Sequence, residues 1–386
     1  MSKLLAVTAE RIFDGERWLE DSALLFERGR IVKVEPQANI PPKVDRYDYT
    51  GQTIVPGFID LQVNGGGGVR FGDETSAEAI EAITLAHAKF GTTKLLPTLI
   101  TDTPEITARA LAGGLEAHEK KVAGFLGLHL EGPHLSIERK GAHNPDYIRS
   151  MTPQDLDSLL AYRAQSGFLL TTIAPESVTV DQASALARYG VVVSIGHSNA
   201  TAVTARAYFN AGATMVTHLF NAMSQLGNRE PGIVGASIAD GRVFAGLITD
   251  GVHVDPETIK IALRAKTGPG QIFLVTDAMQ TIGTELASFE LNGRTIKRSQ
   301  GSLKLADGTL AGADIDMLAS IKFVHSEVGF PLEEALQLAT SSPAKAARVD
   351  ASLGYLKPGY IADFVVLDSK LAHVDTWIDG RNVTSH

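Results

Sequence analysis

From Thr53 onward, short apolar runs alternate with stretches in which apolar positions recur every three or four residues. The runs are TIVPGFIDLQV, TTKLLPTLI, FLGLHLEG, FLLTTIAPE, VVVSIGHS, TMVTHLFNAM, VFAGLITDGVHV and IFLVTDAM. Between them lie amphipathic segments such as SAEAIEAITLAHAKF, PEITARALAGGLEAHEK, TPQDLDSLLAYRAQ, DQASALARYG, TAVTARAYFNAG and PETIKIALRAK. Near-continuous apolar strands, most of them followed by a helix, are the pattern of a parallel sheet buried on both faces. About eight such units over roughly 250–300 residues fit a closed (β/α)8 TIM-type barrel better than an open doubly wound sheet. The expected class is therefore α/β.

The two ends read differently. LLAVTAERIFDG and SALLFERGRIVKVE carry β-branched residues between polar turns and show no helical period. After helical segments around Asp316–Ala347, the tail LGYLKPGYIADFVVLDSKLAHVDTWIDG returns to strands and turns. The expectation is a small discontinuous β-sandwich domain, residues 1–55 and 350–386, beside a barrel of residues 56–349.

Charge and composition narrow the partners. The net charge is −9 with both signs mixed and no basic run, which argues against nucleic acid or an acidic membrane surface. An anionic small molecule stays open, because a pocket need not share the sign of the whole surface. The chain has no cysteine, so a metal would have to be held by His, Asp or Glu. MSKLLAVTAERIFDGER is too short in apolar residues for a signal peptide, and no apolar run reaches membrane-spanning length. A cytoplasmic location is the expectation.

The stretch PGFIDLQVNGGGGVRFGDE invites a phosphate-loop reading, which fails on detail. A dinucleotide fingerprint from Gly65 needs glycine where Arg70 stands, and a P-loop from Gly67 meets Asp73 and Glu74 in place of Lys and Ser or Thr. Glycines here would instead let the chain pass close to a site at the barrel mouth without side-chain clash.

Polar residues fall at the ends of the apolar runs: His129 and Glu131, His197, His218, Asp250 and His253, and Asp277. Strand ends of a barrel converge on its C-terminal face. A single strand-end histidine is usually a hydrogen-bonded rim residue. Five strands delivering imidazoles and carboxylates to one mouth are harder to explain that way. One carboxylate with two imidazoles suits a divalent ion such as Zn2+, and a further carboxylate, Asp277, would serve as base. His87, His118, His134, His325 and His373 receive no role.

PGFID (56–60), HLEGPH (129–134), KGAHNP (140–145), SIGHS (194–198), THLFNAM (217–223), REPG (229–232), DGVH (250–253), TDAM (276–279) and LAGAD (310–314) occur in one order. In that order they resemble the amidohydrolase superfamily, and within it the N-acetylglucosamine-6-phosphate deacetylases. The resemblance implies that Glu131, His197 and His218 hold the catalytic metal, that Asp277 is the general acid/base, and that His143 polarises the amide carbonyl. It implies substrate contacts from Ala142, His143, Asn221, Ala222, Arg229, Asp250, His253 and the segment Leu310, Ala311, Gly312, Ala313. Many amidohydrolases carry His-x-His at the end of the first strand for a second metal. Here Gln62 and Asn64 stand there, and amides are weak ligands beside imidazole. One divalent ion per subunit is therefore expected, Zn2+ first, with Fe2+, Co2+ or Mn2+ admissible.

The implied reaction is hydrolysis of the acetamido group of N-acetyl-D-glucosamine 6-phosphate to D-glucosamine 6-phosphate and acetate. The epimeric N-acetylgalactosamine 6-phosphate is the alternative substrate. A non-catalytic scaffold should have lost the ligands or the base, and cyclic-amide relatives usually carry the His-x-His and a bridging lysine. The resemblance also implies a homodimer, with Arg229 able to serve the neighbouring chain.

Overall fold

The computed structural model describes residues 4–165 and 168–384. Eight parallel strands follow one another around a barrel: Phe58–Val63, Thr92–Ile100, Leu128–Glu131, Leu169–Ile173, Val192–Ile195, Met215–Val216, Phe244–Leu247 and Ile272–Leu274. Each of the eight apolar runs supplies one of them. Their residues are buried almost throughout because side chains on one face fill the barrel and those on the other meet the helices.

The ring closes between the last strand and the first at the mouth. Asp277 N donates to Gln62 O (3.0 Å) and Asn64 N to Ala278 O (2.8 Å). Below them the buried Asp60 carboxylate accepts from Thr276 through both its backbone N–H (3.2 Å) and its hydroxyl (2.5 Å). Burial pushes the Asp60 carboxyl up to about 7.

The helices begin where the sequence supplies side-chain caps. Ser76, Thr103, Thr201 and Asp255 each accept a backbone N–H of the first turn, and Thr179 with Gln182 completes a reciprocal capping box. A helix at Gly232–Ala239, within a stretch of small and apolar residues without clear amphipathic spacing, follows the sixth strand.

Both chain ends enter one seven-stranded sheet. Its order is Arg381–Asn382, His373–Ile378, Phe364–Leu367, Asp45–Pro56, Leu5–Phe13, Trp18–Glu27 and Arg30–Pro36. The sheet curls, so that Ile31 N reaches Tyr360 O (2.8 Å) and Ala362 N reaches Gly29 O (2.9 Å). Asp45–Pro56 runs directly into the first barrel strand. Phe13 and Val55 of the sheet share one buried cluster with Phe58 and Leu274 of the barrel.

A four-stranded antiparallel meander, Ser288–Leu291, Arg294–Ser299, Ser302–Lys304 and Leu310–Ala313, follows the eighth strand. The sequence reading passed over it, although NG, QG and DG turns between alternating residues are a hairpin signal.

Sheet and barrel are also pinned by charge. Lys94, on the second barrel strand, places Nζ 3.1 Å from Asp363 Oδ2, and both side chains are less than a tenth exposed. Replacing Lys94 by Met strands a buried carboxylate, so Lys94→Met should lower unfolding free energy by about 3–5 kcal/mol. Adding Asp363→Asn should recover much of the loss. Urea unfolding of the two variants checks this, and a Lys94→Met midpoint equal to wild type would show that the pair holds nothing.

Candidate active site

Three strand ends are bent to aim their side chains inward. His197, His218 and Asp277 take positive φ values of 47°, 29° and 53°. Non-glycine residues pay about 1–3 kcal/mol for such backbone, which persists where the surrounding structure demands it. Here the third, fifth, sixth and eighth strands deliver Glu131, His197, His218 and Asp277 to one point.

The distances are short. Glu131 Oε1 lies 3.1 Å from His197 Nε2 and 3.0 Å from His218 Nε2, and the two nitrogens are 3.0 Å apart. His197 Nδ1 donates to the Arg139 carbonyl (2.8 Å), which leaves its Nε2 lone pair facing the other two atoms. Burial opposes the Glu131 charge, yet the two imidazoles hold its carboxyl well below the usual range. In a tetrahedral centre with bonds of about 2.0–2.1 Å, neighbouring donors stand about 3.3 Å apart. The trio approximates that geometry, so the residues fit a divalent cation. Glu131, His143 and His197 also offer atoms within 4.8 Å of one another, which puts a fourth buried side chain at the same point.

Gln62 and Asn64 turn toward the carboxylates. Gln62 Nε2 donates to Glu131 Oε1 (3.2 Å) and Asp277 Oδ1 (3.0 Å), and Asn64 Nδ2 donates to Asp277 Oδ1 (2.7 Å). Burial and the neighbouring Glu131 charge push Asp277 up to about 6. Gly65 follows directly; a Cβ there would stand 2.4 Å from Val69 O and 2.9 Å from Gln280 N, so only glycine lets this loop pack beside residues 278–280.

His143 comes from the loop after Glu131. Its Nδ1 accepts the Thr101 backbone N–H (3.3 Å) and contacts the Thr101 hydroxyl (2.8 Å), which assigns the proton to Nε2. Burial and then the His197 imidazole push its pKa down to about 3, so the ring is neutral and can donate from Nε2.

Asn64, Glu131, His143, His197, His218 and Asp277 border a cavity of about 510 Å³. Ala142, Asn221, Ala222, His253, Leu310, Ala311 and Gly312 line it as well, as the resemblance implied. Gly312, at φ 66°, fits against Met279 Cγ and Asp277 O, where a Cβ would come within 2.7 and 2.9 Å.

Three implied substrate contacts do not border the cavity. Asp250 lies behind His253, holding its Nδ1 at 2.6 Å and accepting the His253 and Val252 backbone N–H groups. Ala313 is buried and braces the Asp277 carbonyl through its own N–H (2.9 Å). Arg229 is exposed in the loop 225–230, away from the lining of this chain's cavity.

His129 stands two residues below Glu131, inside the barrel, bonded to Thr98 (3.2 Å) and Thr172 (2.7 Å) hydroxyls. His87, His134, His325 and His373 bond locally to Gly65, Arg149, Phe330 and Thr376. Sequence reasoning missed the cavity residues Ile100, Glu138, Arg139, Met279 and Leu291. Arg139 lies inside the loop joining two recognised motifs, and its charge was the available signal.

The amidohydrolase family model matches residues 53–385. N-acetylgalactosamine-6-phosphate deacetylase of Shewanella sp. (strain ANA-3) is 40% identical over 87% of this chain and 84% of its own. N-acetylglucosamine-6-phosphate deacetylase of Haemophilus influenzae is 39% identical over 94% of this chain and 95% of its own. A crystal structure of N-acetylglucosamine-6-phosphate deacetylase from Pasteurella multocida superposes with a TM-score of 0.94 at 34% identity, covering 98% of this chain and 99% of that one. With a barrel closed beside Asp277 and a carboxylate–imidazole cluster at its mouth, the chain belongs to the amidohydrolase family.

Proposed function

We propose that the protein hydrolyses the acetamido group of N-acetyl-D-glucosamine 6-phosphate, releasing acetate and D-glucosamine 6-phosphate. The convergence of Glu131, His197, His218, His143 and Asp277 on one cavity carries this reading. Glu131, His197 and His218 would hold one divalent ion, Zn2+ first. The amides at Gln62 and Asn64, already donating to carboxylates, leave no imidazole pair for a second. When bound, the ion supplies Lewis acidity and makes water a stronger acid.

The chain's own residues do the rest. Asp277, fixed by two amide donors, takes a proton from the attacking water as the C–O bond forms. It returns that proton to nitrogen as the C–N bond breaks, so one carboxyl serves both transfers in turn. His143 donates its Nε2 proton toward the carbonyl oxygen, stabilising the charge that builds there. His253, when protonated on both nitrogens, would donate Nδ1–H to Asp250 and Nε2–H to the sugar phosphate.

The galacto epimer is a second reading, because the Shewanella relative is named for that substrate. A homodimer is part of the proposal, because Arg229 is exposed here and free to reach a neighbouring subunit's phosphate site. Among the described residues no helix is long and apolar enough to cross a membrane. A cytoplasmic location suits a phosphorylated sugar substrate.

Acetate release should occur from both epimeric 6-phosphates, with the higher kcat/KM for the gluco form. A preference for the galacto form would select the second reading, and release from neither would end both. Asp277→Asn should keep about one ion per chain yet lose roughly 10²–10⁴-fold in kcat. Turnover near wild type removes Asp277 from the proton path, and two tightly held ions in the active protein would refute the single-metal assignment. Arg229→Ala should raise KM more for the 6-phosphate than for the dephosphorylated sugar in a protein that sediments as a dimer. Equal effects, or an active monomer with intact phosphate preference, would take Arg229 out of the site.

A further inference from the structure

The cavity is floored by acid, from Glu131 and Asp277, and its rim carries Glu138. A substrate bearing a phosphate needs compensation there. Among the described residues lining the cavity, Arg139 is the only lysine or arginine. Its guanidinium is anchored, with Nε 3.1 Å and Nη2 2.8 Å from the same oxygen, Asn199 Oδ1. That partner is a neutral amide. Among the described residues Arg139 makes no ion pair, while the neighbouring Glu138 is engaged by the amide group of Asn199 (3.2 Å). The positive charge is thus held in place without being neutralised, and Nη1 is left over from the anchoring contacts.

The anchor also sets where the charge sits. Asn199 N is tied to Glu176 (2.7 Å), and the adjacent Ser198 N donates to Ala222 O (3.2 Å). Arg139 is therefore fixed to the segment that packs on Asn221–Ala222, which lines the same cavity. A planar guanidinium is suited to paired phosphate oxygens, and a preordered one loses less freedom on binding.

We propose that Arg139, held by Asn199, is a phosphate-binding residue supplied by the same chain that carries the catalytic cluster. It determines preference for phosphorylated over unphosphorylated amino sugars. The proposal rests on the deacetylase reading and adds a residue to it. Arg139 also touches the cluster through its main chain, since its carbonyl accepts the His197 Nδ1 proton. A side-chain substitution preserves that contact, which separates the two roles.

The test compares wild type, Arg139→Gln, Arg139→Lys and Asn199→Leu on N-acetylglucosamine 6-phosphate and on N-acetylglucosamine, with metal content measured on each. Loss of a charge-assisted phosphate contact should raise KM for the 6-phosphate about 10–100-fold in Arg139→Gln. Its kcat should stay within about threefold, the pattern of lost uniform binding. The unphosphorylated sugar should be unaffected, metal content unchanged, Arg139→Lys partly restored, and Asn199→Leu intermediate. Equal losses on both sugars, or a fall in kcat with KM unchanged, would overturn the proposal and leave Arg139 as a support for His197. If wild type releases no acetate from either sugar, the deacetylase reading fails on its own. Arg139 is then judged by calorimetric titration with glucosamine 6-phosphate against glucosamine: a phosphate-dependent affinity lost in Arg139→Gln sustains it, and identical affinities reject it.

Discussion

Two imidazole nitrogens and a carboxylate oxygen stand about 3 Å from one another, a spacing that three lone pairs tolerate only when a cation or protons are shared among them. That constraint orders much of the molecule. The donors come from strands far apart in sequence, so the barrel must close accurately enough to bring Glu131, His197 and His218 together. Closure at the Asp277–Gln62 and Asn64–Ala278 bonds happens at the same level. The last element of the ring is thus also the carrier of the proposed acid/base.

The left-handed turns at His197, His218 and Asp277 follow from the same demand. A straight parallel strand alternates its side chains between barrel interior and helix layer. Bending the chain at the strand's end frees one side chain to reach the axis above the packed core. The core below supplies the rigidity. His129, Thr98, Thr172, Thr217 and Ser194 join in buried hydrogen bonds just under Glu131, with Thr172 and Thr217 hydroxyls 2.7 Å apart. A polar layer whose bonds are satisfied locks neighbouring strands in register, whereas an apolar layer could slide.

The sequence was most informative where physics is local and periodic. All eight barrel strands stood out as apolar runs, and the strand-end positions of Glu131, His197, His218 and Asp277 followed from the fold rule. What was not legible depended on direction or on irregular chain. Asp250 and His253 are three residues apart, and nothing in that spacing says which one borders the cavity and which one stands behind it. Ala311 and Ala313, two apart on one strand, look alike, and spacing does not say that Ala311 borders the cavity while Ala313, beyond the left-handed Gly312, binds the Asp277 carbonyl. Arg229 stands in a motif, yet a motif does not say which subunit's cavity it serves. Arg139 was overlooked because its partner, Asn199, lies sixty residues away on another loop.

This division between strands and loops bears on specificity. Of the residues that would perform hydrolysis, Glu131, His197, His218 and Asp277 sit on strand ends that cannot move without breaking closure or the polar layer, and His143 alone comes from a loop. Those that would read the sugar sit on loops: 139–143 after the third strand, Asn221–Ala222 after the sixth, and the Leu310–Gly312 edge of the meander. Side-chain changes in these loops, away from His143 and the Arg139 carbonyl that holds His197, can re-aim hydrogen bonds by an ångström without disturbing the cluster. Relatives named for epimeric substrates then need differ little overall, and their identities to this chain are 40% and 39%. Inverting one hydroxyl alters a hydrogen bond or two, a change loops of this kind can absorb. Overall likeness therefore carries almost no information about the epimer, and the preference has to be sought in the loop residues facing the sugar ring.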